Sequence, residues 1–552
     1  MISRIMRGRK TVFILCLLFL CGAVLLCLDA RGNGKPRQSY LQKFENRWKE
    51  IEESYSKNLL EIAGSVKDSY EEIAALLVMR AGEVAHDNSA ISAIRDELGD
   101  QAEADENPAG DARWVAETLW PRKLEYARAE IIRTGGKPED APKPAPKPKD
   151  KDLKDLVKRL AELQKNTASE FCKLADEAYR AGEIGKAYVT AKNVLDYDAN
   201  YKKVRVALGY KAQKNIWLRA YDLKQVKRKL VWTEKWGWVP PRIKKRLENG
   251  QYPMGKKFLP KVMYFEAMKK SWKNAAVAET EHFRVESNAG IEAAVEAALC
   301  AEEHYEYYRG LFSSLFDLNR RKGIAGGFEP RQKKKYNIRF YWDKKSYLTL
   351  GKTFYEGDVP ENMVGFYAEN YDCLCLWRKE LALGPGPNWR KVIKHECTHQ
   401  FAYDHGRGNP KEFEQVNGWV PDALACFVEY LVILPDGSYR LPPLGPHDPM
   451  GKSIRKSDGG KIIPFKELVA LGCEKIRDKM LKDREFSMRK IGQGVAMTFF
   501  FLTYENGRYR LAFYEFLRKA HYGTHGADTL AKTIGVNLNI LEKQFEEWLN
   551  KL

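Results

Sequence analysis

Apolar positions recur every three or four residues through much of this chain. Leu41, Phe44, Trp48, Ile51, Tyr55, Leu59, Ile62 and Val66 form one such stripe, and Ile73, Leu76 and Leu77 carry it on. The spacing predicts a long amphipathic helix or a helical hairpin, with packing the simplest use of its apolar face. A second helical stretch over residues 114–132 ends at Gly135-Gly136. The rhythm then breaks over 137–152, where Pro138, Pro142, Pro144, Pro146 and Pro148 stand among lysines. Proline on that spacing excludes helix and sheet interior and predicts an extended, semi-rigid linker.

Beyond the linker, Leu174, Ala178, Tyr179, Gly182, Ala187, Ala191, Leu195 and Asp198 read as two helices crossing at small residues, with a turn at Gly182. The pattern resembles one tetratricopeptide unit. A single unit cannot bury its own faces, so it must pack on neighbouring helices. Trp217, Trp232, Trp236 and Trp238 follow, ahead of Pro240-Pro241, and read as an aromatic docking core.

From about residue 280 the period changes. Residues 282–286 alternate as a strand, 291–316 read as a helix, 336–342 as a strand, and 363–377 as a hairpin turning near Asn370. Helical patterns close the chain over 486–504 and 530–552. Strands followed by helices predict an α+β domain. The expected organisation is a terminal segment (1–30), a helical region (31–136), the linker (137–152), a tetratricopeptide-like region with its Trp-rich extension (153–262) and an α+β domain (263–552).

The first residues change the picture of location. Arg4, Arg7, Arg9 and Lys10 precede an almost wholly apolar run over 11–28. Such a run is long for a signal peptide and just long enough to span a bilayer. The expectation is an extracytoplasmic protein anchored in the membrane by residues 11–28, with a secreted or periplasmic protein after signal cleavage as the alternative. Seven cysteines remain beyond this segment, without a disulfide framework or a C-x-x-C pair, which argues against a thiolate zinc site. The net charge of +19 reads as spread along the chain, with local runs at 224–229 and 331–335. No nucleic-acid module accompanies those runs, so no nucleic acid is expected as partner.

The chemistry-bearing stretch is His395-Glu396-Cys397-Thr398-His399. On a helix, two histidines four apart lie on one face and can reach one metal ion, with Glu396 beside the first of them as general base. No proline or glycine interrupts residues 392–403, so a helix can carry the motif. Catalytic zinc takes three protein ligands, and two candidates compete for the third place. Asp422 lies 23 residues after His399, at the start of an apolar stretch behind Pro421. His405 completes the spacing of a metzincin, but Ala402 stands where that arrangement needs a turning glycine.

Residues 395–400 followed by 419–429 resemble the peptidase-MA-like gluzincins, and more narrowly an uncharacterised family of exported bacterial proteins among them. Their pattern is an H-E-x-x-H-Q helix and then a W-x-x-E-G-x-A helix with a later acidic residue. The resemblance spans about residues 280–552 and departs at Asp422, where the family has Glu, and at Ala423, where it has Gly. It implies Zn2+ held by His395, His399 and Asp422, with Glu429 bracing the site from behind. It also implies hydrolysis of a peptide or protein substrate by Glu396 and an activated water. Tyr403, Tyr430 and His447 are the candidates for a second oxyanion donor. Two other readings stand beside this one. The first is a catalytically inactive peptidase-fold scaffold of the cell envelope. The second is an adaptor that takes a protein partner at its tetratricopeptide-like region.

Overall fold

The computed structural model describes residues 40–66, 69–84, 110–137, 140–143, 145, 149–213, 216–315, 318, 320–328, 334–355, 357–379, 388–405, 415–430, 432–433, 439–440, 462–522 and 526–551. The chain divides into two compact units, one of Met1–Leu119 with Ala145–Thr167 and one of Trp120–Pro144 with Ala168–Leu552.

In the first unit the predicted hairpin is present, as helices Tyr40–Val66 and Glu71–Val84 packed on each other. Phe44, Ile51, Tyr55, Leu59 and Ile62 are all buried, at helical spacing, as are Ile73, Leu76 and Leu77 opposite. Helix Gly110–Leu119 and the first half of helix Lys151–Ala181 complete this unit. Gln164 caps the Gly110–Leu119 helix by donating to the carbonyl of Thr118 at 2.9 Å. The described part of the proline-rich linker is tied down within each unit. Ala145 N–H donates to Glu117 at 2.7 Å in the first, and Arg128 donates to the carbonyl of Pro142 at 3.0 Å in the second.

In the second unit the Lys151–Ala181 helix turns at Gly182 (φ +94°) into helix Ile184–Tyr197. Helix Ile184–Tyr197 packs on helix Ile291–Phe312. The approach is close enough to require glycine: a Cβ on Gly185 would lie 2.1 Å from the carbonyl oxygen of Gly310.

Next come three hairpins, each followed by a helix. Strands β1 (Tyr210–Gln213) and β2 (Ile216–Arg219) lead into helix Ala220–Lys227. Strands β3 (Val231–Thr233) and β4 (Gly237–Val239) lead into Pro241–Glu248, and β5 (Gln251–Met254) and β6 (Lys257–Pro260) into Lys261–Lys270. The second strands start at 216, 237 and 257 and the helices at 220, 241 and 261, so this is one supersecondary unit used three times.

The central sheet comprises β7 (Ala276–Glu279), β8 (Phe283–Ser287), β9 (Tyr336–Tyr341), β10 (Gly365–Ala368) and β11 (Cys373–Trp377), in the spatial order β10-β11-β9-β8-β7. It is mixed: β8-β9 and β9-β11 are parallel, while β7-β8 and β10-β11 are antiparallel. Strand β11 reads Cys-Leu-Cys-Leu-Trp, the unbroken apolar run of a strand covered on both faces. Helix Ile291–Phe312 makes the crossover from β8 to β9. The domain is thus mostly helical around a small mixed sheet, in keeping with α+β.

The expected membrane anchor requires correction. Among the described residues no helix is long and apolar enough to cross a membrane. Residues 11–28 themselves lie outside the described residues. The anchor is therefore withdrawn, and with it the extracytoplasmic location that was its consequence.

Candidate metal centre

Helix Trp389–His405 carries the motif. Asn388 starts it, its side chain accepting from the N–H groups of Arg390 and Lys391 at 3.1 Å each. Such caps satisfy amides that have no partner inside the helix. Trp389, Ile393, Cys397 and Phe401, spaced four apart, are fully buried. The ring of Phe401 sits among Phe283, Tyr305, Tyr308 and Tyr336 at centroid distances of 5.0–6.0 Å. That apolar face fixes the helix on the sheet and leaves His395 and His399 on another.

A second helix, Val420–Tyr430, packs on the motif helix. Asp422 stands in its first turn, where the helix dipole favours a carboxylate. Glu429, two turns later, pairs with Nδ1 of His395, while Asp422 Oδ1 lies 3.8 Å from Nε2 of His399. The crossed pairing shows that the helices run antiparallel. Against burial, the bonds from Nδ1 to Cys426 and Glu429 raise the His395 ring well above the usual imidazole range, so a metal at Nε2 must displace a proton there. That nitrogen is 3.2 Å from Nε2 of His399. Tetrahedral zinc with bonds near 2.05 Å sets its ligands about 3.3 Å apart. The two Nε2 atoms match that spacing, Asp422 Oδ1 at 3.8 Å from His399 is slightly wider, and the three residues form a group that could hold a metal ion.

A third helix, Arg484–Gly507, supplies a residue that the sequence pattern does not single out. Its Lys490 side chain is 1% exposed, and its ammonium donates to Oδ2 of Asp422. One turn on, a Cβ at Gly494 would lie 2.9 Å from the Cβ of Ala423. The small residue that the family pattern puts at 423 is replaced by Ala here, and the facing helix carries the glycine. This close approach brings Lys490 to Asp422, and the shorter acid stays aimed at His399. The only sequence signal for Lys490 is a lysine at the head of an apolar helical run.

Burial and the neighbouring carboxylates Asp422 and Glu429 raise the Glu396 carboxyl, against the pull of His395. Burial and the charge of His395 push His399 down to about 3, leaving a neutral ring. Burial alone would raise Asp422, but Lys490 and His399 outweigh it and hold the acid ionised. His399 and Asp422 thus hold the forms that bind a metal, neutral imidazole and ionised carboxylate, while His395 must give up a proton to do so.

The alternative third ligand behaves differently. The motif helix runs unbroken through Ala402 to His405, so no turn swings the chain back. His405 ends the helix six residues on, about 9 Å along the axis from His399 at 1.5 Å per residue. Of the suggested oxyanion donors, Tyr403 packs edge-on against Tyr367 at 5.9 Å. The Tyr430 side chain and His447 lie outside the described residues. Cys426 Sγ is 3.9 Å from His395 Nδ1, and burial raises its pKa, so it stays a neutral thiol. A separate group, Glu281, His282 and Glu302, is already paired: Glu281 with Arg219 at 2.8 Å, and Glu302 with His282.

No family model matches this chain, and no curated protein matches it. The resemblance to the gluzincins rests on the motif residues alone.

Behind the motif helix, fully buried His304 places Nε2 3.0 Å from Thr398 Oγ1, which donates to the carbonyl of Lys394 at 2.8 Å. Burial, with the nearby Lys394 charge, pushes His304 down to about 3. In the unfolded chain an imidazole protonates near pH 6.5. Between these values the unfolded state binds the extra proton, so stability falls as pH drops, by about 1.4 kcal/mol per unit. From pH 7 to 5 the share of this loss due to His304 should be about 2 kcal/mol, so His304→Gln should lose less stability by about that amount. Urea midpoints of both proteins at the two pH values check this; parallel losses would show that His304 is not the group responsible.

Proposed function

We propose that this chain is a zinc-dependent hydrolase of peptide bonds with a gluzincin-type site. The observation that carries the reading is the convergence of His395 Nε2, His399 Nε2 and Asp422 Oδ1 at metal-ligand spacing beside Glu396. Zinc held there would supply Lewis-acid activation of a water and of the scissile carbonyl. Glu396 takes the proton from the attacking water and delivers it to the leaving amine. Its raised pKa suits a group that must both accept and release a proton near neutrality. Glu429 fixes the ring of His395 through Nδ1, and Lys490 fixes the carboxylate of Asp422 through Oδ2.

Peptide as the substrate is supported by the sheet. Strand β10 is an edge strand packed on the motif helix, and its Tyr367 backbone lies near the Glu396 carboxylate. The free edge of β10 therefore faces the general base, where an extended peptide can pair as an added strand. Zinc analysis of the purified full-length chain tests the proposal, together with hydrolysis of a peptide library before and after 1,10-phenanthroline. The expected result is near-stoichiometric zinc and chelator-sensitive cleavage that zinc restores. Cleavage indifferent to the chelator would overturn it.

One observation favours the scaffold reading instead. The Lys490 ammonium already balances the charge of Asp422, so the pair is satisfied with no metal present. A chain that takes up no zinc under saturating conditions would establish that reading.

A further inference from the structure

The positive charge of this protein is not spread evenly. Between residues 202 and 275 there are 21 Lys and Arg against four Asp and Glu, so this stretch accounts for nearly all of the net +19. The structure shows why so much charge is tolerated: the stretch coincides with the three hairpin–helix units, whose cores are small and whose remaining positions face solvent. Lys235 and Lys256 stand in the loops at the hairpin tips, and Lys257 starts β6. Lys224, Lys227 and Lys245 are exposed on the following helices. None of these six pairs with a carboxylate among the described residues. The array packs through β4 on β7, the edge of the sheet opposite β10. Four strand spacings, about 19 Å, separate those edges, so the surface is independent of the metal centre.

We propose that this array is a docking surface for an anionic lipid bilayer. Charge complementarity calls for a polyanion, and two observations choose among polyanions. First, two well-exposed apolar side chains of the array are adjacent: Val262 is 74% and Met263 58% exposed, in the first turn of helix Lys261–Lys270 beside Lys261. Apolar side chains set among lysines insert at the headgroup boundary while the ammonium groups stay with the phosphates. Second, aromatic rings of the array are covered by cations or by each other rather than open to bases. Arg246 covers Phe258 at 4.1 Å, and Trp232 and Trp238 pack edge to face at 5.6 Å beneath Arg133. Lysine also outnumbers arginine by 16 to 5 over 202–275, as suits point-charge attraction to a fluid surface better than forked readout of fixed phosphates. Docking of this kind needs no spanning helix.

Flotation of the full-length chain with vesicles tests the proposal, comparing phosphatidylcholine alone with phosphatidylcholine mixed with phosphatidylglycerol. Binding should be confined to the anionic vesicles and fall with added salt. At about fivefold per lysine, Lys256→Gln with Lys257→Gln should weaken it about 25-fold. Val262→Ser with Met263→Ser should also weaken vesicle binding, with unchanged thermal unfolding in both variants. Equal binding to neutral and anionic vesicles, or none to either, would overturn the assignment. So would tighter binding to duplex DNA that Val262→Ser with Met263→Ser leaves unaltered, since that result would give the surface to nucleic acid.

Discussion

Glu396→Gln should abolish peptide hydrolysis and leave zinc binding intact. The amide has nearly the shape of the carboxylate, so helix Trp389–His405 and the ligands at 395 and 399 keep their places. What is lost is a group able to take a proton from water and return it to the amine, an effect on the order of a thousandfold or more. The measurement pairs kcat/KM with zinc content on the same preparation. Full zinc with unchanged kcat/KM would show that Glu396 is not the base; loss of both would show that the substitution had damaged the site.

Asp422→Ala should produce the second large effect, and a double-mutant cycle separates its two parts. The substitution removes one of three metal ligands, and zinc affinity should fall by well over tenfold. It also leaves the ammonium of Lys490, 1% exposed, without the acid it donates to. Stranding one partner of a buried pair costs about 3–5 kcal/mol, scaled down here to about 2 because the Asp422 side chain is 42% exposed. Asp422→Ala combined with Lys490→Met should regain most of that stability while zinc binding stays lost. Melting and zinc titration across the four proteins check this. If the double variant recovered zinc affinity, Asp422 would not be a ligand.

The legible parts of this molecule are those whose partners are close in sequence. The helical hairpin at the start of the first unit is readable because Phe44, Ile51, Tyr55, Leu59 and Ile62 follow the helical period without interruption. His395 and His399 are readable because four residues of helix bring them together. Asp422 is legible only as one of two candidates, favoured by a resemblance, and its place beside His399 follows from two helices packing antiparallel, which no local pattern encodes. Lys490 escapes a sequence reading because it reaches Asp422 from 68 residues further on, through a close helix approach that depends on Gly494. The three hairpins escape it for another reason. Their strands are three or four residues long and give alternation little length to show itself. Their tryptophans look like one aromatic cluster in sequence, whereas Trp217, Trp238 and Phe258 occupy equivalent positions in successive repeats. Helix Arg510–Tyr522 is also absent from the sequence reading, although its Phe513, Phe516 and Leu517 are fully buried.

The three candidate ligands sit on helices that pack on one another and on a sheet, and none sits on a loop. Their spacing is therefore fixed by the apolar core, which assembles whether or not an ion is near. In metal-dependent small folds, capture of the ion and folding of the chain are one event. Under the proposed function they would be separate events, and metal supply alone would decide how much of the folded protein is active.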